Sequence, residues 1–475
     1  CILMLFSSIV FLFYFLPAVI LLYYLFSFSR TAQNILLLLA SLLFYAWGEP
    51  VYILLMLASI MINSFFGILI DKNGNRKKLK KALLVSDIVF NLGCLFVFKY
   101  LGFTLGIIGV QTIKLALPIG ISFYTFQALS YVVDVYTGKV KAENPFYVGL
   151  YIAFFPQLIA GPIIQYSTVA EQIRNRKENF SLFSIGVSRF ITGLGKKILL
   201  ANTFAAIADN IFGWSAIGNE RMQVPALLAW IGSISYTLQI YYDFSGYSDM
   251  AIGLGAMFGF RFDENFNYPY ISTSITEFWK RWHISLTNWF REYVYIPLGG
   301  NRHQNKDFMV KNLFIVWLLT GIWHGANWTF IIWGLLYFII QLAERFFGYA
   351  ELIPGRLLKH IYTLFIVNLA WVLFRADDLY QAGRFIMNMF GVNNNGIYSN
   401  TAIMFLKENF VFFIAGILFS MPIARNANKY FYEHDNSTIN KILLAVYPTV
   451  MLLIFIICTA YLASGTYNPF IYFNF

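Results

Sequence analysis

Asn312-Leu313-Phe314-Ile315-Val316-Trp317-Leu318-Leu319-Thr320-Gly321-Ile322-Trp323-His324-Gly325-Ala326-Asn327-Trp328 opens an apolar run, 312–343. The run exceeds the ~20 residues that cross a bilayer as a helix, so it reads as membrane-embedded. It also holds a histidine, His324, between Trp323 and Gly325. An ionisable side chain at membrane depth is costly and usually marks a pathway or a reaction centre. A second histidine stands in similar company upstream, in Phe278-Trp279-Lys280-Arg281-Trp282-His283-Ile284-Ser285-Leu286. The chain has 5 histidines, and these two have the least ordinary surroundings.

The whole chain shares this character. Hydrophobic residues fill 59% of 475 positions and charged residues 12%, about half the charge of a soluble domain. Apolar runs of about 20 residues recur from end to end, which predicts an all-α, polytopic membrane protein. Candidate spans include 5–26, 51–70, 147–164, 184–212, 225–242, 246–260, 312–343 and 441–463. Pro118, Pro156, Pro162 and Pro297 break helices, and broken segments are tolerated at depth only inside protein or along a cavity. The expectation is about 11 transmembrane helices plus re-entrant or interfacial ones around a central funnel. No linker or repeat is visible, so residues 1–475 are read as one integral-membrane domain. The first apolar run lacks a basic leader and a cleavage site and reads as a retained helix.

Net charge is +11. The basic residues gather in short loops, so positive-inside bias explains the charge and nucleic-acid binding is not needed. The sharpest cluster, Asp71 to Lys81, holds Lys72, Arg76, Lys77, Lys78, Lys80 and Lys81 and is expected to be cytoplasmic. Counting back from it puts the N-terminus outside. The loops 174–177 and 301–311 are expected inside as well. Residues 278–291 mix Lys280, Arg281, His283 and Arg291 with Trp279, Trp282, Trp289 and Phe290. That amphipathic pattern suggests a helix lying at the cytoplasmic boundary or dipping in from it.

A buried neutral imidazole is a good general base near pH 7. Gly325 would let a backbone or a substrate approach His324. The structural alternative is a core histidine bonded to a neighbouring helix. His283 reads either as an interfacial residue or as a contact for a cofactor phosphate. Neither has a third ligand at standard spacing, so no metal site is assigned. His303, His360 and His434 are assigned no chemistry. Asp243 and Asp249 fall in a membrane region and need partners, for which Lys196, Lys197 and Arg261 are candidates. The 3 cysteines form no framework. The closing Tyr467-Asn468-Pro469-Phe470-Ile471-Tyr472-Phe473-Asn474-Phe475 has no charged side chain. Disordered tails are usually polar, so this one is expected to pack. It is either an interfacial anchor or a strand-like insert that presents the Tyr472 hydroxyl in a pocket.

These stretches resemble the membrane-bound O-acyltransferase superfamily. The likeness is to its bacterial branch, with the alginate and peptidoglycan O-acetyltransferases and the teichoic-acid D-alanyl transferase. It rests on residues 118–136, 156–162, 242–270, 278–302, 321–333 and 469–475. The resemblance implies a many-helix bundle thinned at its centre, with His324 at the narrowest point. It makes His324 the catalytic histidine and His283 the second histidine. The tail resembles a motif in which a tyrosine is thought to carry the acyl group, which makes Tyr472 a candidate carrier. It implies acetyl-CoA as donor substrate with no tightly bound cofactor, the CoA phosphates lying near Lys280, Arg281 and Arg302. It further implies a bacterial cytoplasmic membrane with its lipids, an extracytoplasmic esterase-like partner enzyme and a polysaccharide acceptor. Gln165, Asn202 and Ala256 depart from the usual pattern, away from the histidines. Two alternatives stay open: D-alanyl transfer to teichoic acid from a carrier-protein thioester, and a transporter of lipid or glycan. Transporters often show internal repeats, and none is visible here.

Overall fold

The computed structural model of the chain describes residues 4–110, 115–159, 161–215, 224–300, 306–433, 437–465 and 467–471. Every element among the described residues is a helix. Among them 8 helices are long and apolar enough to cross a membrane: Arg30–Gly48, Ile53–Lys72, Lys77–Ile107, Phe180–Trp214, Trp328–Phe347, Arg356–Arg375, Asn400–Phe419 and Ala445–Ala463. The chain is therefore an all-helical, multi-pass membrane protein. Other long helices, such as Ile121–Thr137 and Ala226–Met257, fall outside that apolar set. Their buried positions carry Ser, Gln, Tyr and Asp, which lowers their hydropathy without exposing them.

Two expected boundaries shift. Segments 225–242 and 246–260 form one helix, Ala226–Met257. Gly246 does not break it; it lets this helix touch a neighbour, since a Cβ there would lie 2.8 Å from the Gly193 carbonyl oxygen. The run 312–343 is two helices, Lys306–His324 and Trp328–Phe347, and the break falls at the histidine.

The chain divides into two compact units that alternate along the sequence. The first comprises Cys1–Phe190, Tyr247–Glu264 and Asn288–Tyr293. Its helix Ile121–Thr137 is buried almost throughout. Trp289 stacks on Phe126 at 3.7 Å and donates its Nε1–H to the Phe126 carbonyl at 3.0 Å. Lys72, Arg76, Lys77 and Lys78 of the basic loop are exposed. Arg176, read from sequence as a loop charge, is not: its side chain is fully buried. It donates Nε–H to the Tyr23 hydroxyl at 2.9 Å and the Phe258 carbonyl at 3.0 Å. Glu178, which also pairs with Arg30, supplies the counter-charge.

The second unit comprises Ile191–Gly246, Asn265–Thr287 and Val294–Phe475. It contains both singled-out histidines and the C-terminal segment.

Candidate active site

His324 owes its place to glycines. Helices Lys306–His324 and Trp328–Phe347 pack with their backbones almost touching. A Cβ on Gly321 would lie 2.5 Å from the Phe330 carbonyl oxygen, and one on Gly334 would lie 2.5 Å from that of Trp317. Small residues permit such close approach between helices in lipid. Asn327 caps the second helix, its side-chain oxygen accepting the Thr329 N–H at 3.2 Å. The turn 325–327 is thus specified on both sides, and His324 is the last residue before it. Gly325 was expected to leave room for a substrate. That space is occupied, because a Cβ there would meet the Phe330 ring at 2.3 Å.

His324 is 7% exposed. It makes edge-on contacts with Trp323 at 5.0 Å, Trp333 at 5.0 Å and Phe374 at 5.1 Å between centroids. Aromatic edges and faces attract in this arrangement, so three rings hold the imidazole in one orientation. Beside it lies a cavity of ≈ 10 Å³ lined otherwise by apolar and aromatic side chains: Ile240, Phe244, Trp282, Trp333, Trp371, Phe374 and Ile471. That is about room for one water. An acetyl group enters only if a wall yields, and one wall residue, Ile471, belongs to the C-terminal segment.

His283 sits at a joint. Helix Ile275–Arg281 ends before it and Ile284–Phe290 begins after it. The first helix is fixed at its start: Ser274 accepts the Glu277 N–H at 3.0 Å, and the Glu344 carboxylate accepts Ile275 N–H at 2.7 Å and Thr276 N–H at 2.8 Å. His283 itself has φ +45°, in the left-handed region, where a side chain costs about 1–2 kcal/mol. Asn265 holds it there. The Asn265 carbonyl accepts the Ile284 N–H at 2.9 Å. Its Oδ1 accepts the Ser285 N–H at 3.2 Å and Oγ–H at 2.9 Å, and faces His283 Nδ1 at 3.1 Å.

That network assigns the tautomer. A backbone N–H can only donate, so the Asn265 atom facing Ser285 is oxygen. The ring nitrogen facing the same oxygen must then carry hydrogen. His283 is the Nδ1–H form, and Nε2 keeps its lone pair with no hydrogen-bond partner among the described residues. The two histidines also share a wall. The His283 ring lies 6.1 Å from Trp323, which packs on His324. Phe244 meets His283 edge-on at 4.6 Å and lines the His324 cavity.

Burial pushes the His283 pKa from 6.5 down to about 3. The unfolded chain therefore binds a proton between those values that the folded chain does not. The stability is whole above pH 6.5 and is lost as pH falls toward 3. At pH 5.5 the loss is on the order of 1 kcal/mol. Thermal unfolding in detergent should show wild type losing that much more than His283→Asn between pH 7.5 and 5.5. Asparagine is chosen because it tolerates the left-handed region. Equal losses in the two proteins would mean that His283 titrates normally.

The other residues singled out in the sequence are dispersed. Lys280 is exposed. Arg281 is committed to Glu277 at 2.9 Å and to the Asn267 carbonyl at 3.1 Å. Arg302, Tyr472, His303 and His434 lie outside the described residues. His360 bonds the Ser272 carbonyl through Nδ1 at 3.0 Å. Asp243 pairs with Lys197 at 2.7 Å. Asp249 takes Arg189 at 2.8 Å, not Arg261, because the guanidinium of Arg189 reaches both Asp249 and Glu264. Sequence reasoning did not single out Asn265, Phe244, Phe374 or Ile471 for the site. Asn265 stands 18 residues from His283, and no local spacing signals the contact.

Comparison with known proteins fixes the family. The model of the membrane-bound O-acyltransferase (MBOAT) family matches residues 41–350, which include both histidines. The chain belongs to the membrane-bound O-acyltransferase family. The probable alginate O-acetylase of Pseudomonas aeruginosa is 44% identical over 400 residues, 82% of this chain and 75% of the relative. That of Pseudomonas putida is 38% identical over 99% of this chain and its own full length, 100%. The peptidoglycan O-acetyltransferase of Helicobacter pylori is 36% identical over 82% of this chain and 80% of the relative. This membrane-bound O-acyltransferase is therefore an enzyme of acyl transfer to oxygen, and the sheltered imidazole of His324 suits the proton transfer such chemistry needs.

Proposed function

We propose that this acyltransferase takes acetyl groups from cytoplasmic acetyl-CoA and passes them across the bacterial cytoplasmic membrane for O-acetylation of an extracytoplasmic polysaccharide, alginate-like or peptidoglycan. His324 is the general base, and Tyr472 carries the acetyl group in transit. The activities of the alginate and peptidoglycan O-acetyltransferase relatives support the acetyl group and the acceptor class. The observation that carries the reading is that Ile471 lines the His324 cavity. One peptide bond, about 3.8 Å between Cα atoms, connects it to Tyr472.

The chemistry balances without a cofactor. The tyrosine hydroxyl attacks the thioester carbonyl carbon while His324 takes its proton. The tetrahedral intermediate collapses, the carbon–sulfur bond breaks, and the thiolate leaves with that proton as CoA thiol. A second transfer of the same form moves acetyl from the tyrosine ester to the acceptor, delivered with an esterase-like partner outside the membrane. The apolar walls keep water from the ester. In this reading His283, neutral and with its Nε2 lone pair available, accepts a hydrogen bond within the site. Exposed Lys280, with Arg281 and Arg302 nearby in sequence, meets the CoA phosphates. The loop 71–81 faces the cytoplasm and the N-terminus the outside.

The test feeds acetyl-labelled acetyl-CoA to membranes carrying wild type or Tyr472→Phe and maps label by peptide mass spectrometry. Label on Tyr472 in wild type, with transfer lost in the variant, is the expected result. Label reaching polysaccharide through both proteins would keep the acetyltransferase and remove the carrier. No consumption of acetyl-CoA would point to a carrier-protein thioester and to D-alanyl transfer.

A further inference from the structure

The second unit contains a buried ion pair that the chemistry above does not use. Lys197 and Asp243 lie 2.7 Å apart with side chains 2% and 1% exposed. Lys197 is on a π-helical turn, Lys196–Ala201, within a longer helix. Gly246, one turn past Asp243, lets the two helices meet: a Cβ there would lie 3.1 Å from the Lys197 backbone nitrogen. Two charges out of water need more than each other, and both find the remainder in the C-terminal segment. Lys197 Nζ donates to the Pro469 carbonyl, and Asp243 accepts the Ile471 N–H at 2.8 Å. The Lys197 ammonium also lies over the Phe470 ring, 5.8 Å from its centroid. Further back, Asn202 donates to Asn468 at 3.2 Å and the Tyr467 hydroxyl donates to Asp209 at 2.6 Å. Phe470 and Ile471 are each 4% exposed.

The central contacts share one property: they read main chain. A carbonyl at 469 and an N–H at 471 are fixed whatever side chains stand there. Such contacts set the register of a segment along its groove, and here the register delivers Ile471 to the His324 cavity.

We infer that Lys197 and Asp243 are positioning residues for acyl transfer: a main-chain clasp that holds the C-terminal segment in register at the His324 cavity. The inference rests on the reading that residue 472 carries the acetyl group. It makes the pair a determinant of transfer and not of donor binding.

The test uses the full chain in detergent or membranes. The paired variant Lys197→Met with Asp243→Leu removes both charges together, leaving neither buried alone, and such exchanges are often neutral for folding. Ile471→Pro is the second variant; it removes the N–H that Asp243 accepts and leaves the ion pair in place. Both should raise amide exchange in the C-terminal peptide by about tenfold or more. Both should lower kcat for transfer by about 10²-fold, the scale of an ångström-sized misplacement, with KM for acetyl-CoA within about twofold. Slow exchange in both variants overturns the clasp, and fast exchange with wild-type transfer overturns its positioning role in transfer. Tyr472→Phe separates the two claims, since it removes a hydroxyl and leaves the clasp. Slow exchange with lost transfer is expected of it. Slow exchange with wild-type transfer sinks the carrier reading and the positioning role built on it, while fast exchange in the paired variant would still distinguish that failure from failure of the clasp itself.

Discussion

Replacing His324 with alanine should lower acyl transfer by about 10²- to 10⁴-fold if it is the base, the usual contribution of a positioned general base. The loss should appear equally in kcat and kcat/KM, because the proton moves only in the transition state. Packing offers a competing explanation that a second variant removes. The imidazole is wedged among Trp323, Trp333 and Phe374, so alanine also opens a cavity, and voids of this kind destabilise. His324→Gln fills more of that space and offers an amide that cannot take a proton. If the base is what matters, glutamine stays as low as alanine while thermal stability recovers toward wild type. If glutamine restores most of the activity, His324 is a packing residue and the base lies elsewhere.

The class of the fold was legible because bilayer physics is coarse. Length and apolarity identify a spanning helix whatever its packing, and helices such as Ile53–Lys72 and Arg356–Arg375 announce themselves that way. Breaks were harder to read. Pro156 signalled a real one, since Pro145–Ala153 and Phe155–Leu158 are separate helices. Gly246 and Gly325 show why glycine is a poor guide. The first sits inside a continuous helix, where it serves a helix contact. The second sits at a true break, in space filled by Phe330. Composition cannot tell these apart, because the difference lies in which neighbour comes close. The same limit applies to the site. His324 and His283 stand out as ionisable groups in apolar sequence. The phenylalanine walls, Phe244 and Phe374, do not stand out among 50 Phe. Buried charges are legible as a need and not as a pairing: the sequence offers Lys197 among the partners for Asp243 but gives no sign of Arg189 for Asp249.

Asn265 carries the second large expectation. Asn265→Leu should cut transfer by about 10²-fold or more, since losing control of a catalytic imidazole's tautomer can cost up to ~10⁴ in kcat. Leucine removes the acceptor for His283 Nδ1–H and for the Ser285 N–H, and each donor left buried and unmet costs about 1–3 kcal/mol. A stability loss is therefore expected whether or not His283 takes part in the reaction, and activity of this variant alone decides nothing. Asn265→Asp decides it. Aspartate keeps an acceptor at the same reach, so it holds the Nδ1–H tautomer and the turn, and transfer near neutral pH should stay within about tenfold of wild type. It also places a carboxylate beside the ring. A negative charge favours the imidazolium, so the His283 pKa must rise from about 3. Protonation then removes the Nε2 lone pair at a higher pH than before. The acid limb of the pH–rate profile should move upward in Asn265→Asp if Nε2 is used in transfer. It should stay where wild type has it if Asn265 does no more than fix a left-handed turn. A structural role and a chemical one predict the same leucine variant but opposite aspartate profiles, so the shift of one limb separates them.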